Sequence, residues 1–320
     1  MKKFAQVFDN NMKNFINLDE IPAKDLRKII FDAKRRKNLR KKLNTLEVDK
    51  GAPLKGKLLI QMFEKTSLRT RLSFYLAIKQ LGGSTLTLRA DELHMSGGGE
   101  SIEDTAKILS TFGNAFMLRT DSDKKLEDFK RYLSIPIING LSPSSHPTQI
   151  LSDVFTVEEI KKKSISNLNI TWIGDSNNVL NSLIMASVKF SFKLNIGCPK
   201  NYRPKENILT YINNNKNKIS FFSDAKKAVN GADVIFSDKV ISMNDKVNKK
   251  KKLNEFKKFK IDEELMSFAK SDCIFLHCLP RGSEVDEKVF SSKKSKVWQQ
   301  AMNRVHVQKS ILLYCFGKLR

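Results

Sequence analysis

Short apolar runs alternate along the chain with stretches whose apolar residues recur at helical spacing, and polar or glycine-containing junctions separate the two. The runs at 58–63, 84–88, 115–120 and 135–140 read as strands. Helices are expected from Ser67 to the Gly82-Gly83 stop, from Ser101 onward and over 145–161, and the opening portion to Val48 reads as helical, with Pro22 near the start of a helix at 21–31. Near Leu168 the alternation restarts, with strands at 170–174, 194–197, 219–221, 233–236 and 273–277 and a helix at 179–190. Two successive β/α runs imply an α/β protein of two doubly wound parallel-sheet domains joined by helices. A terminal helix at 299–316 is expected to return to the first domain, so the domains read as 1–145 plus 299–320, and 146–298. The basic run 35–42 reads as a solvated face, and the Lys-rich piece 246–260 as a mobile, exposed insertion.

At 320 residues, 40% of them hydrophobic, the chain can fill two cores. Its formal charge of +24 raises nucleic-acid binding as a reading. The basic residues are spread through the chain, mostly Lys, and are not interleaved with aromatics for base stacking, so no nucleic-acid partner is expected and the charge is left to steer small anions. Cys198, Cys273, Cys278 and Cys315 lack the paired short spacing of zinc sites or disulfide scaffolds; no metal is expected, and reduced thiols fit a cytoplasmic protein. The first residues lack the apolar segment of a signal peptide, and no run of about 18 apolar residues occurs, so no membrane contact is expected.

Candidate chemistry collects at the ends of the strands. Phe63-Glu64-Lys65-Thr66-Ser67-Leu68-Arg69-Thr70-Arg71 joins a strand to a helix. The first N–H groups of a helix lack partners and its dipole adds positive charge, so Ser67 as N-cap, with Arg69, Thr70 and Arg71, has the pattern of a phosphate site. A capped helix with solvated arginines would carry the same residues. Arg119 ends the third strand, where ligands gather in open parallel sheets. His146 and Gln149 share a face at a helix start, one suited to polarise a carbonyl oxygen and the other to receive an amide N–H; a packed histidine would look alike. Gly174-Asp175-Ser176-Asn177-Asn178 has the context of a dinucleotide fingerprint without its glycines, so NAD is not expected; adjacent amides suit a zwitterion or Asx turns. Asp238 follows a strand and can meet an ammonium or close a turn. His277-Cys278-Leu279-Pro280-Arg281 offers too few ligands for zinc and leaves Cys278 beside an amine or as a buried thiol. Arg304 on the terminal helix is a site cation or half of a surface ion pair.

Taken in order, these segments, with Gly99-Glu100-Ser101, Asp104-Thr105-Ala106, Leu118-Arg119-Thr120, His146-Pro147-Thr148-Gln149, Ser242-Met243 and Asn303-Arg304, resemble the aspartate/ornithine carbamoyltransferase family, its ornithine branch most closely, over nearly the whole chain. The resemblance implies carbamoyl transfer from carbamoyl phosphate to the δ-amine of L-ornithine, giving citrulline and phosphate without metal or organic cofactor, and arginine biosynthesis as its setting. It implies that Ser67, Leu68 through its backbone, Arg69, Thr70 and Arg119 hold carbamoyl phosphate. His146, Gln149, the Leu279 carbonyl and Arg304 would hold the carbamoyl end, and Arg119, His146, Thr70 and Cys278 would carry the chemistry. Asn178, Asp238, Ser242, Met243 and Cys278 would receive ornithine. It further implies a cis Leu279-Pro280 bond and a homotrimer with sites near subunit interfaces, with His94 the candidate contribution from a neighbour.

The chain also departs from the pattern. Leu68 replaces a common Thr, Asn244 follows Ser242-Met243 where Gly is usual, and the stretch after Pro280 is short. An apolar residue at 68 makes N-acetyl- or N-succinylornithine the nearest rival acceptor, while a binding protein without turnover is the rival of another class.

Overall fold

The computed structural model describes residues 12–89, 99–215, 218–241 and 248–319. The chain divides into two compact units, residues 1–148 with 304–320, and residues 149–303. Among the described residues no helix is long and apolar enough to cross a membrane.

In the first unit, α1 (Ala23–Leu39), β1 (Leu58–Phe63), α2 (Leu68–Gln80), β2 (Ser84–Arg89), α3 (Ile102–Phe112), β3 (Ala115–Arg119), α4 (Asp123–Tyr132) and β4 (Ile137–Leu141) alternate. The four strands form a parallel sheet in the order β2-β1-β3-β4, with Leu59 opposite Thr85 and Ala115. Strands buried on both faces read as nearly continuous apolar runs, as Leu58 to Phe63 does with only the buried Gln61 interrupting it. Ile60, Met62, Phe116 and Leu118 pack against Leu109, Leu126 and Phe129, and the Phe116 and Phe129 rings lie 5.2 Å apart. Chain from Phe15 bridges to Ile138 and covers the free edge of β4. Gly82, at φ +84 just past α2, takes the left-handed conformation that ends the helix. Ser101 caps α3 by accepting from Asp104 N at 3.0 Å while donating to the Asp104 carboxylate at 2.7 Å.

Helix α5 (Pro147–Lys161) leads on to β5 (Asn169–Ile173), α6 (Asn178–Phe190), β6 (Lys193–Gly197), α7 (Glu206–Asn214), β7 (Ile219–Phe222), α8 (Ala225–Val229), β8 (Val234–Ser237), α9 (Lys249–Phe256), α10 (Glu263–Ser267), β9 (Ile274–His277), α11 (Glu287–Phe290) and α12 (Val297–Cys315). The second sheet is also parallel, in the order β7-β6-β5-β8-β9. Its core joins Ile235 and Phe275 to Val229, Ile261 and Val289. The last part of α12 belongs with the first unit: Ser310 donates to Asp32 at 2.8 Å and Lys309 reaches Asp49 at 2.9 Å.

Two expectations from charge alone are corrected. The run 35–42 is not simply solvated: Arg36 bonds the buried Asp32 at 2.7 Å, and the buried Arg40 bonds Asp49 at 2.6 Å. Segment 246–260, where described, is helix α9 and a following turn rather than a loose insertion. Phe256 and Phe259 are buried there, and Lys252, only 3% exposed, bonds Asp175 at 2.6 Å. In both cases apolar stems and buried carboxylates decide the outcome, which a count of charges does not register.

Candidate active site

The first unit gathers one group of cations at the C-terminal edge of its sheet. Ser67 occupies the N-cap position of α2 in extended backbone (φ −154, ψ 103), but its hydroxyl makes no capping bond, and the first turn carries no acid. The positive helix end is therefore not neutralised by its own sequence. Leu68, in the place of a common hydroxyl residue, is 70% exposed, whereas Thr70 is buried. Thr70 Oγ1 accepts from Arg304 Nη2 at 2.8 Å and from Arg119 Nη1 at 3.5 Å. Buried His146 lies in the same field: burial first, then the charges of Arg304, Arg119 and Arg69, holds its imidazole well below the usual histidine range. It is a neutral group at pH 7.

Glu64 ties the loops that carry these residues together. Its backbone N–H donates to Arg119 O at 3.0 Å, and its carboxylate accepts from Thr120 Oγ1 at 2.5 Å, from Asp121 N at 3.2 Å and from Lys125. Burial raises the Glu64 carboxyl, but the bonds from Lys125 and Thr120 outweigh it, and the group stays ionised below its usual range.

In the second unit a buried chain of bonds starts at Gln149. Its Nε2 donates to Asp153 Oδ1 at 2.8 Å, which leaves its carbonyl oxygen as the acceptor. The same Asp153 oxygen accepts from Gln300 Nε2 at 2.9 Å, and Gln300 Oε1 accepts from His277 N at 3.0 Å. His277 in turn accepts from Leu279 N at 2.8 Å through Nδ1, so its ring proton sits on Nε2 and is given to Glu284 Oε1 at 3.0 Å. These contacts fix the segment Cys278-Leu279-Pro280, with Leu279 at φ +54 and a cis Leu279-Pro280 bond; Cys278 is half-buried.

Asp238 stands at the end of β8. Asn177 Nδ2 donates to its carboxylate at 2.8 Å, while Asn177 Oδ1 caps α6 by accepting from Val179 N and Leu180 N at 3.0 and 3.1 Å. Burial raises the Asp238 carboxyl, opposed by His277, the Lys239 N–H and Asn177. Asn177 thus caps and orients, and half-buried Asn178 opens the helix beside it.

The structure therefore brings Arg69, Thr70, Arg119, His146 and Arg304 together in one unit. In the other, Asp238 and His277 share one field, and Gln149 is linked to the backbone of His277. Ser242, Met243 and His94 lie outside the described residues. Sequence reasoning missed Glu64, Asp153, Gln300 and Glu284 as supporting groups; only Asp153 had a readable signal, one helical turn after Gln149.

The profile of the aspartate/ornithine carbamoyltransferase carbamoyl-P binding domain matches residues 13–159, and that of the Asp/Orn binding domain matches residues 166–315. The ornithine carbamoyltransferase of Caulobacter vibrioides is 41% identical over 309 residues, spanning 96% of this chain and 98% of that one. That of Agrobacterium fabrum is 39% identical over 307 residues, spanning 95% and 98%. Among solved structures, ornithine carbamoyltransferase from Pyrococcus furiosus superposes with a TM-score of 0.87 at 36% identity, covering 94% of this chain and 96% of that one. The anabolic enzyme from Campylobacter jejuni gives 0.84 at 35% identity, covering 96% and 100%. With both domain profiles matched in order and such identity along almost the entire length, the chain belongs to the aspartate/ornithine carbamoyltransferase family.

Proposed function

We propose that this protein transfers the carbamoyl group of carbamoyl phosphate to the δ-amine of L-ornithine, releasing citrulline and phosphate. The observation that carries the reading is the convergence of Arg119 and Arg304 on Thr70 beside a neutral His146. Phosphate oxygens meet the open start of α2, with Ser67, the Leu68 N–H, Arg69, Thr70 and Arg119 as donors. His146, Arg304 and the carbonyls of Gln149 and Leu279 receive the carbamoyl oxygen and NH₂.

The neutral δ-amine nitrogen attacks the carbamoyl carbon, and charge builds on the carbamoyl oxygen, facing Thr70, Arg119 and His146. The carbon–oxygen bond to phosphate then breaks, and the phosphate takes the proton from the amine, so no side-chain base is needed. Asp238, Asn178, Ser242 and Met243 hold the amino-acid end, with Cys278 near the reacting amine. We extend the reading to a homotrimer acting in the cytoplasm in arginine biosynthesis, in keeping with the similarity to the anabolic enzyme of Campylobacter jejuni.

The test is citrulline and phosphate formation with L-ornithine beside N-acetylornithine, N-succinylornithine and aspartate. Turnover with ornithine alone supports the reading. Turnover only with an acylated amine would make Leu68 the mark of another acceptor, and silence with every acceptor would reduce the protein to a binder. Arg119→Ala should lower kcat about 10²–10³-fold, the usual weight of one oxyanion donor; unchanged turnover would remove Arg119 from the chemistry. Sedimentation at the mass of three chains tests the trimer.

A further inference from the structure

A second basic site lies in the first unit, at the opposite edge of its sheet. A recess of about 520 Å³ opens between the end of α1, the turn before β1 and the chain beyond α12, lined by Arg35, Arg36, Lys50 and Lys318 with Gly51 and Gly317 among them. The turn before β1 is held to the far end of α2 by Asp49 N on Gln80 O at 2.7 Å and Leu54 N on Leu81 O at 2.9 Å. Since α2 begins at the phosphate-type loop and runs away from it, the recess sits at the N-terminal edge of β1, remote from Ser67 and Thr70.

Surface lysines are common on a chain of charge +24, but three features together set this recess apart from a plain basic surface. Its cations line a concavity, and among the described residues no carboxylate lines it with them. Three of the four are also already tethered. Arg35 donates to Asp32 at 2.7 Å, Arg36 donates to Asp32 at 2.7 Å and lies 3.5 Å from Asp49, and Lys318 donates to Pro53 O at 2.9 Å. Asp32 is itself buried and held by Ser310, so the two guanidiniums are fixed from behind while their remaining N–H groups stay available. A ligand that meets tethered side chains loses less entropy on ordering them. Finally, Gly51 sits at φ +83 with nothing within 4 Å of where a Cβ would be, which leaves room for the ligand to approach the backbone.

We propose that this recess binds a compact, multiply charged anion of the diphosphate class. Its volume falls within the range of small-ligand sites, roughly 300–1,000 Å³. Several separated cations favour an anion with more than one charged group. Among the described residues no aromatic ring lines the recess to stack a base, which directs the assignment to the phosphate chain rather than to a nucleoside.

The experiment is calorimetric titration of the full chain with sodium diphosphate at low ionic strength, comparing wild type, Lys50→Gln/Lys318→Gln and Arg119→Ala. The expected result is a binding event in wild type that weakens about tenfold or more in the double variant and survives in Arg119→Ala, which removes only any second event at the carbamoyl-phosphate site. Both lysines are exposed, so the double variant should melt with wild type; Lys50→Glu/Lys318→Glu should abolish binding with the same melting midpoint. No binding by wild type, or unchanged affinity in the double variant, overturns the proposal. So does a loss confined to Arg119→Ala, which would place the diphosphate in the carbamoyl-phosphate site and leave the proposed function standing.

Discussion

His146 shows how one residue's surroundings set its chemistry. Burial beside three arginines keeps its imidazole neutral, so it offers a hydrogen bond without adding charge where the substrate already meets cations. The sign of the linked stability follows. The folded value lies below the unfolded value near 6.5, so on acidification the unfolded chain takes up this proton first. The contribution is complete above about pH 6.5 and is lost as the pH falls from there toward the folded value. In urea titrations from pH 7.5 down to 5, His146→Gln should therefore flatten the loss of stability relative to wild type. The sequence placed His146 next to Gln149, but nothing in it announced that Arg304, 158 positions later, would share its field. Arg119 and Thr70 were legible because each sits at a strand end or helix start; their shared contact was not.

At the scale of elements, the site depends on helices and strand ends being held in register by buried polar groups. Asp153 on α5, Gln300 on α12 and the last residue of β9 form one chain of hydrogen bonds within the second unit. Gln300→Ala would leave an Asp153 oxygen short of a donor and the His277 N–H without an acceptor, at about 1–3 kcal/mol for each buried group. We expect kcat/KM for carbamoyl phosphate to fall about tenfold or more, since misplacement by about 1 Å can cost up to about 10²-fold, while Gln300→Glu should retain the bond to His277 N and lose the one to Asp153. Steady-state kinetics on both variants separates the two links. The C-terminal part of α12 has its own anchor: Asp49 accepts from Lys309 and Arg40, both buried. Asp49→Ala would strand two cations, and urea denaturation should show a loss of about 3–5 kcal/mol. The strands, α3 with its cap at Ser101, and α6 were readable from apolar runs and junction residues. Helix α4 carried no expectation, although Ser122 caps it by accepting from Lys125 N at 3.1 Å, because its short polar sequence has only Leu126 and Phe129 to mark a buried face. Helix α9 was misread for the same reason, with lysines outnumbering the apolar residues that anchor it.

For the whole molecule, a formal charge of +24 surrounds a substrate that is itself a dianion. A positive field gathers such a ligand, and mobile ions weaken it over a Debye length of about 10 Å at 0.1 M salt. Raising inert salt from 20 mM to 0.5 M should lower kcat/KM for carbamoyl phosphate about tenfold and change that for ornithine much less, as initial rates at fixed second substrate would show.

The division of the chain carries a further consequence, for synthesis on the ribosome. Residues 149–303 are contiguous, so the second unit can fold as soon as it has emerged. The first unit has its four described strands early, but it must wait for residues 304–320, which are made after the whole of the second unit. Until then Asp49 has no Lys309, Asp32 has no Ser310 and Thr70 has no Arg304. The unit that begins first is therefore finished after the second, and its anion pocket closes only once residues 304–320 have emerged.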